Sequence, residues 1–315
     1  MRFLAVSGCA AVCLAAGAAV GQDQYPSRII RIVAPATGGG SDVVARMYAP
    51  GLAAALGQQV IIDNRGAIAT EIVAKSPPDG YTLLANGSPM WLLPLMRSVP
   101  YDPVKDFAAV TLAVSSPSML VVHPSLPVKS ARDLIALAKA KPGQLYYAAG
   151  TLGAAPHLAG ELFKFMAGVD IVRVPYKGSG PALIGVMTGE VGLMFPGAAS
   201  AWQYAKQGKV RGLAIGSARR SELFPGVPTV AESGLPGFES VSPQAIVAPA
   251  RTPAAIVNRL NYEIVRVLNN AEVKERLKNL GIEVVGSTPE ELGVSIKSEM
   301  ARVAKLVKAA GIREE

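Results

Sequence analysis

Residues able to do chemistry on an anion gather in one short stretch, Gly38-Gly39-Gly40-Ser41-Asp42, directly after the apolar run Ile30 to Ala34. Glycine has no Cβ, so three in succession let backbone N–H groups close on a ligand. Ser41 or Asp42 can cap the helix that follows, where Val43, Val44, Met47 and Tyr48 recur at helical spacing. A helix opening from a glycine loop presents free N–H groups and the positive end of its dipole, which favours a carboxylate or phosphate. Taken alone, the stretch reads equally as an anion cradle or as a flexible turn.

Groups for catalysis are sparse. The two histidines, His123 and His157, lack metal-ligand spacing, and no Gly-x-Ser-x-Gly elbow or P-loop sequence occurs. Gly150-Thr151-Leu152-Gly153 follows a strand like a dinucleotide turn, but the third glycine and the ribose-binding acid are out of register. His157 stands just inside a helix start and reads as a hydrogen-bonded structural residue. Asp42 has the chemistry of a general base but no identifiable partner. The residues therefore favour a binding protein over an enzyme, with no catalytic residue, metal or cofactor expected.

The elements that must position these loops alternate between strand and helix. Gln59 to Asp63 and Tyr81 to Ala85 read as further strands, the second running into Asn86-Gly87-Ser88-Pro89. Pro50 is expected to kink or split the first helix. Strand–helix alternation implies a parallel sheet with ligands beyond the carboxyl ends of its strands. On that rule the loops at Ala36, Asn64 and Gly87 face one crevice. A second block repeats the logic: a strand from Ser118 to His123, a helix capped by Ser130, then strands at 145–148, 171–174, 191–195 and 211–215, each leading into its own loop. Ala245 to Pro249 reads as a strand again, followed by helices over 253–270, 271–280 and 289–309, the last opened by Thr288-Pro289-Glu290-Glu291.

The start of the chain carries an address. Arg2 precedes an uncharged, small-residue run to Val20, and Ala19-Val20-Gly21 fits a cleavage site, so residues 1–21 are expected to be a secretory signal cut near Gln22. The run is a weak membrane span because of its alanine and glycine content, and Cys9 stands too early for a lipid anchor. Cys9 and Cys13 are the only cysteines and both lie in this segment, so the exported chain has no thiol chemistry. The formal net charge of +8 is spread along the chain without a basic block or a recognisable nucleic-acid module. A solvated basic surface with a mild bias toward small anions is the reading, with no nucleic-acid partner.

In order, the motifs Tyr25-Pro26-Ser27-Arg28-Ile29-Ile30, Gly38-Gly39-Gly40-Ser41-Asp42, Pro78-Asp79-Gly80-Tyr81-Thr82-Leu83-Leu84, Tyr101-Asp102-Pro103, His157-Leu158-Ala159-Gly160-Glu161, Val174-Pro175-Tyr176-Lys177-Gly178, Val227-Pro228-Thr229 and Thr288-Pro289-Glu290-Glu291 form a pattern. It resembles the substrate-binding receptors of tripartite tricarboxylate transporters, the Bug receptors, from Tyr25 to Ile312. The resemblance implies an α/β periplasmic binding protein of type II-like architecture, with two βα lobes joined by two hinge strands across a cleft. Lobe one would comprise 25–122 plus 245–312, and lobe two 123–244. It implies a monomeric periplasmic receptor that delivers a small carboxylate to a membrane permease, or else presents its closed form to a sensor kinase. Carried over by position, the ligand would meet Ala36, Thr37, Gly38, Gly39, Ser41, Asn86, Gly87 and Ser88 from lobe one. From lobe two it would meet Ala149, Gly150, Thr151, Leu152, Ala154, Lys177, Phe195, Pro196 and Gly197.

The departures from that pattern bear on the ligand. Ala34-Pro35 replaces the usual Pro-Phe, the loop after Asn64-Arg65 is shortened, Ala149 and Ala154 replace serines, and Pro196 replaces an acid or amide. Fewer hydroxyls and carboxylates leave fewer partners for polar substituents, which are costly to bury unpaired. The expected ligand is a mono- or dicarboxylate with an apolar or aromatic body, held mainly by backbone N–H groups and water.

Overall fold

The structure, a computed structural model, describes residues 25–35, 37–38, 40–150, 154–176 and 178–312. The expected signal segment lies outside them. Among the described residues no helix is long and apolar enough to cross a membrane.

The first sheet begins with β1 (Ile30–Ala34), β2 (Val60–Asn64) and β3 (Thr82–Gly87), with α1 (Gly40–Leu56) and the short α2 (Ala69–Ala74) in the connections and α3 (Pro89–Leu92) after β3. β1 pairs in parallel with both β2 and β3, so their carboxyl ends open on one edge. α1 runs unbroken through Pro50 as one helix. The ring of Pro50 faces solvent, while Tyr48, Leu52 and Leu56 share a core cluster with Leu260, Ile264 and Leu268. Burial of that face outweighs the one backbone bond a proline removes.

β4 (Phe107–Pro117) also belongs to this sheet, and the chain then enters a second sheet through β5 (Met119–Val122). There α4 (Ala131–Ala140), β6 (Leu145–Ala149), α5 (Ala155–Ala167), β7 (Ile171–Pro175), α6 (Ser179–Met187), β8 (Leu193–Met194), α7 (Ala198–Lys206) and β9 (Arg211–Ile215) follow. Ser130 caps α4 by accepting from the Asp133 N–H. The chain returns through β10 (Val241–Pro249) and closes with α8 (Ala254–Leu268), α9 (Ala271–Asn279), β11 (Glu283–Val284) and α10 (Pro289–Ala310). Thr288 and Glu291 form a reciprocal capping box on α10.

The first sheet has the order β11-β4-β10-β3-β1-β2 and the second β7-β6-β8-β5-β9. Neither is purely parallel, because β10 and β5 enter antiparallel to their neighbours after crossing between the sheets. Val122 ends a strand of the second sheet, and Ala245 lies inside a strand of the first. The two crossings are tied together where they change sheet: Ser118 N–H donates to Ser240 O at 3.0 Å, and Gly216 links them by accepting from the Ser240 N–H and donating to Ser118 O, both at 2.7 Å. A Cβ on Gly216 would stand 2.5 Å from the Ser240 carbonyl oxygen, so only glycine fits. Each sheet carries its own apolar clusters, and Leu158 and Leu162 of α5 reach across to pack with Leu306 and Val303 of α10.

Candidate functional site

The glycine loop is held by an aspartate. Gly38 has a positive φ of 74°, and its N–H donates to the Asp42 carboxylate at 2.9 Å. The same carboxylate accepts from Arg46 Nε at 2.9 Å and Asn64 Nδ2 at 3.0 Å. With its side chain only 3% exposed, Asp42 is a pin between α1, the loop and the end of β2. Arg46 holds its carboxyl below the usual aspartate range against the opposing effect of burial, helped by the Gly38 and Asn64 bonds. Three donors and a lowered pKa make this carboxylate a weak base and give it a structural task. The helix itself begins at Gly40, so Ser41 and Asp42 sit inside its first turn rather than before it.

Ser41 turns toward β10, where its hydroxyl donates to Gln244 Oε1 at 2.5 Å. The Gln244 Nε2 atom lies 3.2 Å from where a Cβ would stand on Gly40, and equally on Gly87. A side chain at either position would press on the amide between them, which would have to shift by a few tenths of an ångström. Gly87 is doubly constrained, since an added Cβ would stand 2.3 Å from the Pro243 carbonyl oxygen. Asn86 folds back on lobe one: it donates to Thr70 Oγ1 at 3.1 Å and accepts from the Gly87 N–H at 2.8 Å. Ser41, Thr70, Asn86, Gly87, Tyr101 and Gln244 line one cavity of about 360 Å³ at the carboxyl edge of the first sheet.

Ser88 points elsewhere. Its hydroxyl donates to Glu299 Oε1 at 3.0 Å, and Trp91 Nε1 donates to Glu299 Oε2 at 2.8 Å. Burial raises the Glu299 pKa above the ordinary glutamate range, partly offset by those two bonds and by Arg302. Ser88 lines a second cavity, of about 220 Å³, together with Ala154 of the second sheet's loop. This is where expected ligand residues of the two blocks come together.

On the second sheet the expected residues divide. Gly150 approaches Gly178 so closely that a Cβ would stand 3.1 Å from its Cα, and the Gly150 carbonyl accepts from Arg173 Nη2 at 2.9 Å. Gly197 is exposed at the start of α7 and bridges to Ser118. The Pro196 carbonyl accepts from the Met119 N–H at 2.9 Å. The side chains of Ala149 and Phe195 are 0% and 1% exposed; Phe195 packs 5.4 Å from Phe163 and 6.1 Å from Phe238, ring centre to ring centre. Those two residues therefore belong to the core. Ala36, Gly39, Thr151, Leu152 and Lys177 lie outside the described residues; Thr37 is described and exposed in the loop.

His157 is buried at the start of α5. Burial first, and the Arg173 charge second, push its pKa down to about 4. It is neutral at neutral pH. Sequence reasoning missed Gln244, Arg173, Tyr101 and Glu299. Arg173 was visible as a lone charge inside the strand Ile171-Val172-Arg173-Val174, whereas Gln244 stands just before the residues by which β10 announces itself.

Two α/β lobes tied at paired crossings, with backbone-rich loops on both, are the architecture of a periplasmic solute-binding protein. A family model for the tripartite tricarboxylate transporter family receptor matches residues 44–312. BugT of Bordetella pertussis is 38% identical over 99% of this chain and 98% of its own. An R. palustris protein solved with adipate superposes with a TM-score of 0.78 at 37% identity, covering 92% of this chain and 99% of that one. MatC from Rhodopseudomonas palustris, with bound malate, gives 0.73 at 31% identity over 90% and 100%. The chain belongs to the tripartite tricarboxylate transporter receptor family; the periplasmic binding protein BugD, 32% identical, superposes with a TM-score of 0.74.

Proposed function

We propose that this chain captures a small carboxylate between its lobes in the periplasm and delivers it to a permease of the tripartite type. The acid carries an apolar or aromatic body and few polar substituents. One observation carries this reading: the polar side chains of lobe one at the cleft are already engaged within the protein. Asp42 holds the glycine loop, Asn86 holds Thr70 and the Gly87 N–H, and Ser88 holds Glu299. What is left for a ligand is mainly backbone N–H, the Gln244 amide and bound water. Those groups suit a carboxylate at one end and reward little else, because an unmatched buried hydroxyl or ammonium costs more than it returns. The adipate and malate of the two related structures are consistent with an acid of this size.

Thermal shifts across a carboxylate panel test the reading. Benzoate-like and medium-chain acids are expected to raise the melting temperature most. Clear preference for citrate or aspartate would sink it. Loss of uptake of the identified acid on deletion of the gene tests delivery to a permease.

A further inference from the structure

The 220 Å³ cavity and the 360 Å³ cavity share two lining residues, Pro89 and Gln244. They are thus neighbours on either side of one amide. Their characters differ. The larger one is ringed by hydroxyls, amides, loop backbone and the side chain of Arg97. The smaller one is walled by Pro89 and Leu92 of α3, Leu158 and Leu162 of α5, and Val303 and Leu306 of α10. Of its charged members, Glu239, Glu299 and Arg302, two are turned to protein partners: Glu299 accepts from Ser88 and Trp91, and Arg302 Nη1 donates to the Glu239 carbonyl at 2.7 Å. An apolar cavity of roughly 150 Å³ suffices to bind benzene. This one, at about 220 Å³, has room for a six-carbon ring or chain.

We propose that this annex receives the apolar chain or ring of the bound acid, and that Gln244 holds the carboxylate end at its mouth. The proposal rests on the reading that a carboxylate binds in the cleft, and adds where its body lies. Gln244 is suited to the junction because its oxygen is fixed by Ser41. That leaves the Nε2 hydrogens, wedged between Gly40 and Gly87, as donors toward an anion. Walls drawn from α3 and α10 on one side and α5 on the other mean that a chain in the annex touches both lobes at once. Ligand length is then read at the joint between the lobes.

The test is calorimetric titration of straight-chain acids from propionate to octanoate into the exported chain and into three variants. For the wild type, affinity is expected to rise about fourfold per methylene, the return for burying one CH₂, and to level off near six carbons. Leu158→Trp and, independently, Leu306→Phe fill the annex from opposite walls. Each should flatten the chain-length profile, erasing the gain of longer acids over propionate, with circular dichroism reporting intact fold. Gln244→Ala should weaken every acid by a similar factor. A chain-length profile in both filled variants that matches the wild type overturns the annex while leaving the receptor reading intact. Absence of binding by any acid to the wild type overturns the receptor reading and the annex together.

Discussion

Ser41 in the first turn of α1 and Gln244 on the returning strand β10 are 203 positions apart and joined by a 2.5 Å hydrogen bond. The bond ties the glycine loop to the strand that crosses between the sheets. If that tie orients the Gln244 amide, Ser41→Ala and Gln244→Ala should each weaken acid binding about tenfold, the worth of one well-placed hydrogen bond. The double variant should be little weaker than Gln244→Ala alone. Calorimetry on the four proteins checks it; additive losses would show that the two residues act separately.

Asp42 predicts a different signature. Its buried carboxylate serves a loop N–H, an arginine and an asparagine at once. Asp42→Asn removes the charge that Arg46 answers and turns one acceptor into a donor facing donors. Breaking a buried pair costs about 3 to 5 kcal/mol; with Arg46 itself half exposed, about 2 kcal/mol is expected in urea unfolding, along with weaker acid binding from a loosened loop. Because the folded pKa is depressed, the wild-type contribution persists above the ordinary aspartate range and is lost only as pH falls through the lowered value.

The same residues show how much the chain discloses on its own. The glycine loop, the strands leading to Asn86 and Gly150, and the capped helices at Ser130 and Thr288 are local patterns, and they are where the sequence places them. β4 is not announced, since Phe107 to Pro117 is rich in small residues and alternates weakly; it is a strand because β10 and β11 pair with it. Pairing across the chain is likewise invisible: nothing local tells Ser88 that it will meet Glu299, or Phe195 that Phe163 and Phe238 will enclose it. Site residues defined by backbone are legible from glycine spacing. Those defined by contacts between distant segments, Gln244 and Arg173 among them, are not.

Glu299 should make stability depend on pH in the opposite sense from Asp42. Burial raises its folded pKa, and Glu239 adds to this, while Trp91, Ser88 and Arg302 oppose it. The protonated form suits the fold, so its contribution is fullest at acid pH and is lost as pH rises through the raised value. Glu299→Gln should therefore gain on the wild type as pH rises from the ordinary glutamate value of 4.5 to neutral in guanidinium unfolding, with the two curves converging at the acid end. A constant gap across that range would assign the carboxylate a purely ionised role.

His157 offers the sharpest of these tests because its shift is large and its causes are separable. The side chain is 3% exposed. Burial and Arg173 lower its pKa from 6.5 to about 4, with Lys164 adding slightly and Glu161 opposing. The folded protein thus excludes a proton that the unfolded chain binds. Stability is full above pH 6.5 and is lost as pH falls toward 4, by at most about 3 kcal/mol at one pKa unit per 1.36 kcal/mol. His157→Phe should remove that slope in urea unfolding between pH 7 and 4.5, whatever constant offset the lost ring nitrogens impose. Arg173→Met should keep the slope but move its acid end upward, since the second-largest of the lowering causes is gone. The size of that move measures how strongly the Arg173 charge is felt beneath the Gly150 loop, where the guanidinium holds the Gly150 carbonyl at 2.9 Å. If His157 titrates identically in both proteins, the charge is screened from the loop and contributes nothing to an anion bound there.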